Sequence, residues 1–506
     1  MNLQHLDSSQ ACTLFDVAGT RLAEHRLASQ LPAHTLMQRA GASIGQLALA
    51  IAPHAQKIWI ACGPGNNGGD GWEAACFLRN AGMNVLVSHL APSQDLPVDA
   101  QKAMNKALGM GIQISEAPVD LGPQDLSIDC LLGIGSSRVV TGKMAQWVEA
   151  MNKSPALILS ADMPTGLNAD TGQAHQHPGG ETGALVRADH TLMLLTAKPG
   201  AFMAQGRDVT GQLWLDDLAR NDSEKSMMAG VQAHCKLNPH PPQILRQHNS
   251  HKGSFGDVAI VGGESVSSRG MGMTGAALLA ASAALQGGAG RVLISLLAFD
   301  KNTQLQDMSL HHPELMQRHF EALDLKQLTV VCGCGGGLNI ARVLPEVLQR
   351  SHKLVLDADA LNAIARDTVL VQLLRYRSAR SMPTVLTPHP LEAARLLGCS
   401  TGHIQSQRVA SAAQLAAFYG CTVALKGSGT VIACQGQISR INPTGNAQLA
   451  TAGTGDVLAG LIGAKLAQGL SAFEATSQAV FNHGQAADAW PTHRALTASR
   501  LASQLH

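Results

Sequence analysis

Two series of short, almost uninterrupted apolar runs, each ending in a glycine-rich turn, limit this chain more than any other feature. The first comprises KIWIAC (57–62), NVLVSHL (84–90), LSIDCLLG (126–133), ALILSAD (156–162) and HTLMLLTA (190–197). The second comprises DVAIVGG (257–263), RVLISLL (291–297), LTVVCGCGGG (328–337), KLVLDADAL (353–361), PTVLTPHP (383–390), TVALKGSG (422–429) and TVIACQG (430–436). Strands apolar on both sides belong in parallel sheets covered on both faces by helices. Between about 219 and 250 the pattern lapses into ARNDSEKSMMAG and then NPHPPQ, which places a domain boundary there. The reading is therefore two α/β domains, 1–225 and 240–506, the first a Rossmann-like parallel sheet, with no alignable repeat between them. Thr35 to Ala52 has helical spacing and is expected to pack on the first sheet.

Of the 506 residues, 45% are apolar but only 3% aromatic, and 51 are glycine, a mix that favours layers joined by tight turns. With 37 basic and 36 acidic residues and no long run of one sign, the composition points away from nucleic acid and membrane surfaces and toward small molecules. Ten cysteines without a CxxC pair fit a reducing cytoplasm, and the N-terminal MNLQHLDSSQ reads as neither a secretory signal nor an organelle address. The most apolar segments, 274–290 and 457–470, are too short and glycine-broken for membrane spans.

In the second half, TAGTGDVLAG (451–460) runs a glycine turn into an apolar helix expected to start after Asp456. Free N–H groups at such a turn suit charge developing on a phosphoryl group, and a carboxylate there suits a general base toward an attacking hydroxyl. The competing reading is that Asp456 only caps the helix. Lys426, Gly427, Ser428, Gly429 and Thr430 offer a cation and permissive backbone for nucleotide phosphates, although no GxxxxGK[ST] loop is present.

HKGSFGDVAIVGG (251–263), GAALLAASAALQGGAG (275–290), PELM (313–316), LVLDADALN (354–362), TPHPLEAARLLG (387–398), LKGSGTVI (425–432) and GNAQLATAGTGDVLAGLIGAKLAQG (445–469) occur in that order. Together they resemble the ADP-dependent NAD(P)H-hydrate dehydratases, a family with a ribokinase-like fold. The resemblance implies a substrate that is the S form of NADH or NADPH hydrated at C6. It further implies Asp456 as base, ADP with Mg2+ as phosphoryl donor, and phosphate as the group finally expelled. It places Lys426 to Thr430 and Gly455 at the nucleotide, and Ala277, Gly337, His389 and Asp456 at the hydrate. The chain departs from the family pattern at Leu391, where glycine is usual, and at GCGGG (333–337), where GPGLG is common.

In the first half, GPGNNGGDG (63–71) contains a literal GxGxxG, but the following strand ends in Ser88, His89 and Leu90 without the acid a dinucleotide fingerprint wants. Asn67, Asp129, Asp162 and Thr165 all follow strand ends, and if gathered at one crevice their oxygens suit a hard cation. The alternative is loop acids facing water. GPGNNGGDG, DCLLGIGSSR (129–138), ADMPTGLNADTG (161–172) and LLTAKPG (194–200) resemble the NAD(P)H-hydrate epimerases. That resemblance implies K+ held by Asn67, Asp129 and Thr165, and Asp162 as the acid/base residue. It also implies hydrate contacts from Asn66, Asn67, Gly68, Gly69, Asp70, Gly133, Ile134, Gly135, Ser136, Ser137, Arg138, Val139 and Asp162. GIGSSR and MPTG replace the usual GTGL-like and IPSG turns.

Together the halves resemble the bifunctional NAD(P)H-hydrate repair enzymes, in which an epimerase supplies a stereospecific dehydratase. A homo-oligomer acting on hydrated NADH or NADPH and ADP is the expectation. Two rivals remain at this point: a ribokinase-like kinase of a small alcohol or vitamin precursor with an accessory domain, and a chain in which one half only binds.

Overall fold

The structure, a computed structural model, describes residues 3–7, 11–90, 96–135, 138–177, 180–243, 245–266, 270–297 and 312–505. The chain divides into two compact units, Met1–Lys236 and Leu237–His506. The division falls within the polar 219–250 stretch, which is less structureless than its composition suggests. It holds a helix, Asp222–Met228, capped by the Asn221 side chain, and a short strand, Cys235–Leu237.

In the first unit the strands stand in the order Gln4–Leu6, Gln212–Asp216, His190–Leu194, Leu157–Ala161, Leu126–Cys130, Ile58–Cys62, Val85–His89 and Gln113–Ser115. Gln4–Leu6 pairs antiparallel with its neighbour, and the remaining pairs are parallel. Strand order reverses between Ile58–Cys62 and Leu126–Cys130, so the turns leaving these two strands diverge and open a crevice. The helix Thr35–Ile51 covers one face and crosses the helix Asn66–Asn80 closely. Any Cβ at Gly41 would lie 2.3 Å from Glu73 Cβ, and one at Gly45 2.3 Å from Phe77 Cδ1, so glycines in GASIG permit the approach.

In the second unit the order is Met316–Gln317, Arg291–Leu296, Asp257–Gly262, Thr329–Cys332, Lys353–Leu356, Thr384–Leu386, Thr422–Leu425, Val431–Ala433 and Arg440–Ile441. The sheet is parallel up to Thr422–Leu425 and antiparallel beyond it. Its order reverses between Asp257–Gly262 and Thr329–Cys332. One helix packed on this sheet, Thr454–Ala467, is apolar all round and buried along most of its length. It meets the helix Thr274–Gln286 at Gly460, where a Cβ would lie 2.0 Å from the Ala280 carbonyl oxygen. Among the described residues, no helix is long and apolar enough to cross a membrane.

Candidate functional sites

Of the carboxylates singled out from sequence, Asp129 lies on a strand that flanks the first unit's reversal, Asp162 leaves the next strand, and Asp456 lies in the first turn of a helix packed on the second sheet. In the first unit GPGNNGGDG leaves Ile58–Cys62 and enters the helix Asn66–Asn80. Here glycine is a packing demand: a Cβ at Gly63 would lie 1.7 Å from the Leu131 carbonyl oxygen, and one at Gly68 2.0 Å from that of Gly63. The tight turn exposes Asn66, Asn67 and Asp70 to a cavity of 880 Å³, which Gly133, Ile134, Gly135, Arg138, Val139 and Asp162 also line. Gly68 and Gly69 are buried in the helix rather than in the cavity wall. Ser136 and Ser137 lie outside the described residues.

Asp162 adopts φ +65°, a left-handed conformation that costs a non-glycine residue and turns the chain sharply out of Leu157–Ala161. Its Oδ1 is paired with the ammonium of Lys198, a side chain wholly removed from solvent that also donates to the Leu194 carbonyl at 2.7 Å. Its Oδ2 accepts from the Ile134 N–H at 3.2 Å. Two further acids share this cavity. Burial and the neighbouring Asp162, Glu24 and Glu73 charges push Asp70 well above the ordinary carboxylate value. Burial and Asp162 push Glu24 up too, against Lys198 and Arg21. Lys198, Glu24 and Arg21 were not singled out by sequence reasoning; Lys198 stands in the quoted motif LLTAKPG, whereas nothing local marks the other two.

Asp129 is fully buried. Its oxygens accept from Thr165 Oγ1 at 2.7 Å, Thr165 N at 2.9 Å, Ser160 Oγ at 3.0 Å and Leu131 N at 3.2 Å. All four donors are neutral, and burial pushes its pKa up against their pull. Thr165 Oγ1 also accepts from Leu132 N at 3.0 Å, tying this cluster to the turn that carries Gly133. A Cβ at Gly133 would stand 3.5 Å from Asn67 Cβ and 3.2 Å from Asp162 Oδ2, so the cluster adjoins both. The Asn67 amide nitrogen is buried without a hydrogen-bond partner among the described residues. A buried anion surrounded by neutral donors, beside an amide and a hydroxyl, is a donor set that fits a hard cation.

In the second unit the helix Thr454–Ala467 begins two residues before Asp456, with Gly453 at φ +91° as its N-cap. Asp456 is therefore not the cap; its carboxylate sits within the first turn. Burial and the nearby Asp357 and Asp359 charges raise it to about 6, against the Cys334 thiol and Lys426. Asp456, Asp357 and Cys334 present atoms within 4.8 Å of one another. Burial and both carboxylates keep the Cys334 thiol protonated, with a pKa well above its ordinary value. The turn is tied down from behind, where His483 Nε2 lies 2.9 Å from the Thr454 carbonyl oxygen. Burial lowers His483 to about 4, so a neutral ring donates that bond.

Lys426, Gly427, Ser428, Gly429 and Thr430 form the turn of an antiparallel hairpin, closed by the Leu425 to Val431 pair. Lys426 Nζ bonds Asp357 Oδ1 at 2.7 Å and stands 3.2 Å from where a Cβ on Gly455 would be. Burial works against its charge, but Asp357, Glu392 and Asp456 outweigh burial and hold its pKa above the ordinary value. Arg408, buried and missed by sequence reasoning, supports the hairpin turn through the carbonyls of Leu425, Lys426 and Gly429 at 3.2, 3.4 and 3.3 Å. Gly427, at φ +144°, leaves room for that guanidinium, 2.8 Å from where a Cβ would be.

Gly337 is held at φ +57° with its N–H donated to Asp359 Oδ2 at 2.9 Å, and a Cβ there would meet the Glu264 carboxylate at 2.1 Å. His389 caps the helix Pro390–Leu397, its Nδ1 accepting from Leu391 N and Glu392 N, while Glu392 answers with a bond from the His389 N–H. Burial, Lys426 and Arg395 lower the pKa of His389, and burial raises Glu392 to about 7. Ala277 is fully buried, its methyl 3.1 Å from where a Cβ on Gly263 would be.

Two family models match the chain, one described as YjeF-related protein N-terminus over residues 33–200 and one as NAD(P)H-hydrate dehydratase over 258–506. A bifunctional NAD(P)H-hydrate repair enzyme Nnr of Escherichia coli (strain K12) is 34% identical over 476 residues, spanning 90% of this chain and 85% of that protein. The chain belongs to the bifunctional NAD(P)H-hydrate repair enzyme family. A second relative in the family, from Moorella thermoacetica, is 34% identical over 504 residues, or 92% of this chain and 90% of the other. Among solved structures, an ADP/ATP-dependent NAD(P)H-hydrate dehydratase from Bacillus subtilis, co-crystallised with ATP and Mg2+, is 28% identical with a TM-score of 0.43. It covers 52% of this chain and 92% of its own. Family membership over both units, with the two sheets, gives the α/β classes expected from the sequence.

Proposed function

We propose that the chain repairs hydrated NADH and NADPH, interconverting the R and S forms at C6 in its N-terminal unit and dehydrating the S form in its C-terminal unit. The observation that carries this reading is that likeness to the bifunctional repair enzymes extends through both units.

In the C-terminal unit Asp456 takes the proton of the C6 hydroxyl as that oxygen attacks the terminal phosphorus of ADP, supplied as its magnesium complex, and AMP leaves. The C6–O bond then breaks with loss of phosphate and of a proton from C5, and the C5=C6 double bond of NAD(P)H returns. Phosphate leaves far more readily than hydroxide, which is why a phosphoryl transfer serves a dehydration. Lys426 to Thr430 and Gly455 face the nucleotide, with Lys426 offsetting phosphate charge beside the N–H groups of the 453–456 turn. Ala277, Gly337 and His389 border the hydrate.

In the N-terminal unit Asp162, held by Lys198, takes the C6 hydroxyl proton and passes it to N1 as the C6–N1 bond opens to an aldehyde; the reverse transfers re-form C6–N1 and the hydroxyl on the opposite face of the ring. Asn66, Asn67 and Asp70, with Gly133, Ile134, Gly135, Arg138 and Val139, border the hydrate there. Asn67, Asp129 and Thr165 would hold K+, which when bound supplies positive charge opposite the buried Asp129 carboxylate.

The test gives the full chain a mixture of R and S hydrates of NADH with ADP, Mg2+ and K+, and follows absorbance of the recovered dinucleotide. Complete recovery supports both activities. Recovery of the S fraction alone removes the epimerase, and accumulation of a stable phosphorylated product in place of NADH supports the kinase reading.

A further inference from the structure

His34 closes the rim of the N-terminal cavity in a conformation that glycine would adopt without strain, with φ +72° immediately before the helix Thr35–Ile51. A strained non-glycine residue on a cavity wall persists because its surroundings impose it. Here the imposing group is Glu73, only 4% exposed, whose Oε1 lies 2.7 Å from His34 Nε2. The other carboxylate oxygen of Glu73 is fixed by Lys106 Nζ at 2.5 Å. An acceptor at Nε2 keeps that nitrogen protonated, so in the neutral ring Nδ1 carries the lone pair. Nδ1 is buried and has no hydrogen-bond partner among the described residues. The nearest carboxylate oxygen is Asp99 Oδ1 at 3.7 Å, and Asp99 also lines the cavity, with Lys102 Nζ at 3.4 Å on the same oxygen. Two acceptors thus stand side by side at the wall of the cavity that Asp162 also lines.

Building on the epimerase reading above, we propose that His34 Nδ1 and Asp99 form a two-acceptor subsite for a ribose cis-diol of the hydrated dinucleotide. Adjacent hydroxyls are the ligand chemistry that two neighbouring acceptors satisfy together, and an aspartate is a common partner of a nucleotide ribose. Glu73 and Lys106 act behind His34 as positioning residues. The subsite aligns substrate without touching the reacting carbon, so its loss weakens binding more than turnover.

The experiment follows interconversion of R and S hydrates without ADP, so that dehydration does not run, for the full-length protein and its His34→Gly and Asp99→Asn variants. Glycine relieves the strained backbone, so His34→Gly is expected to retain the melting temperature within a few degrees while KM rises about tenfold and kcat holds within about twofold. Asp99→Asn, at a side chain 38% exposed, is expected to raise KM similarly with the fold intact. Substrates distinguish the two riboses. If the adenosine ribose docks, the KM effect appears with hydrated NADH and is absent with hydrated NADPH, whose 2′-phosphate replaces one hydroxyl. If the nicotinamide ribose docks, both substrates respond equally. Unchanged KM in both variants overturns the subsite, as does a fall in kcat alone. Absence of interconversion by the unsubstituted protein overturns the epimerase reading on which the subsite rests.

Discussion

Asp162 leaves a strand of the first sheet and Asp456 lies in the first turn of a helix on the second, and their charges are managed in opposite ways. Asp162 has a cation of its own, since Lys198 is wholly buried and has no carboxylate partner but Asp162 among the described ion pairs. Among the described residues Asp456 is in no ion pair of its own. The nearby lysine, Lys426, is bonded to Asp357, and the second carboxylate together with burial lifts Asp456 to about 6. The difference matches the work proposed for each. A residue that only lends and recovers a proton is served by a fixed clamp, whereas a base that must pull a proton from an alcohol gains from a pKa lifted toward the working pH.

The comparison breaks most plainly at the two acids' own support. Asp456→Asn is expected to lower dehydration by about 10³-fold while R to S interconversion continues, measured separately with and without ADP. Because the raised pKa means that ionised Asp456 opposes folding, the same variant should melt higher at pH 8. The gain reaches about 3 kcal/mol at most, from roughly two pKa units at 1.36 kcal/mol each, and disappears as pH falls toward 4. Lys198→Met is the opposite case. It leaves the Asp162 charge buried without a cation, so the N-terminal unit should lose about 3–5 kcal/mol by thermal or urea melting, and interconversion should fall about 10²-fold. A variant that melted like the parent would show that the clamp is not what holds Asp162.

How far the sequence revealed these sites follows from the range of the forces involved. The parallel strands were legible because burial on both faces writes continuous apolar runs into the chain, and the glycine turns because Gly63 and Gly68 admit no Cβ. The hairpin around Lys426 was less so: two runs separated by KGSGT read equally as successive strands, and only the pairing of Leu425 with Val431 shows that they are antiparallel. The start of the helix at Thr454 lies three residues before the expected one because glycine in its first turn hides the boundary. Lys198, Arg408 and His34 act through partners 36, 17 to 21 and 39 positions away. No local period records such pairings.

The smallest expected effect tests the electrostatic half of the comparison directly. As a general base, Asp456 works only when ionised. Dehydration should therefore rise as pH climbs through about 6 and level off above it, with protonation silencing the base on the acid side. Asp359 is one of the charges that lift Asp456, and its Oδ2 also receives the Gly337 N–H. Asp359→Asn removes the charge and retains an oxygen able to accept that bond, so the acid limb of kcat/KM should move to lower pH by a fraction of a unit. The interconversion profile, governed by the other unit, should not move. A limb that stayed in place would mean that burial and Asp357 alone set the ionisation of Asp456, while a shift toward higher pH would mean that Asp359 supports the charged form by organising the Gly337 turn.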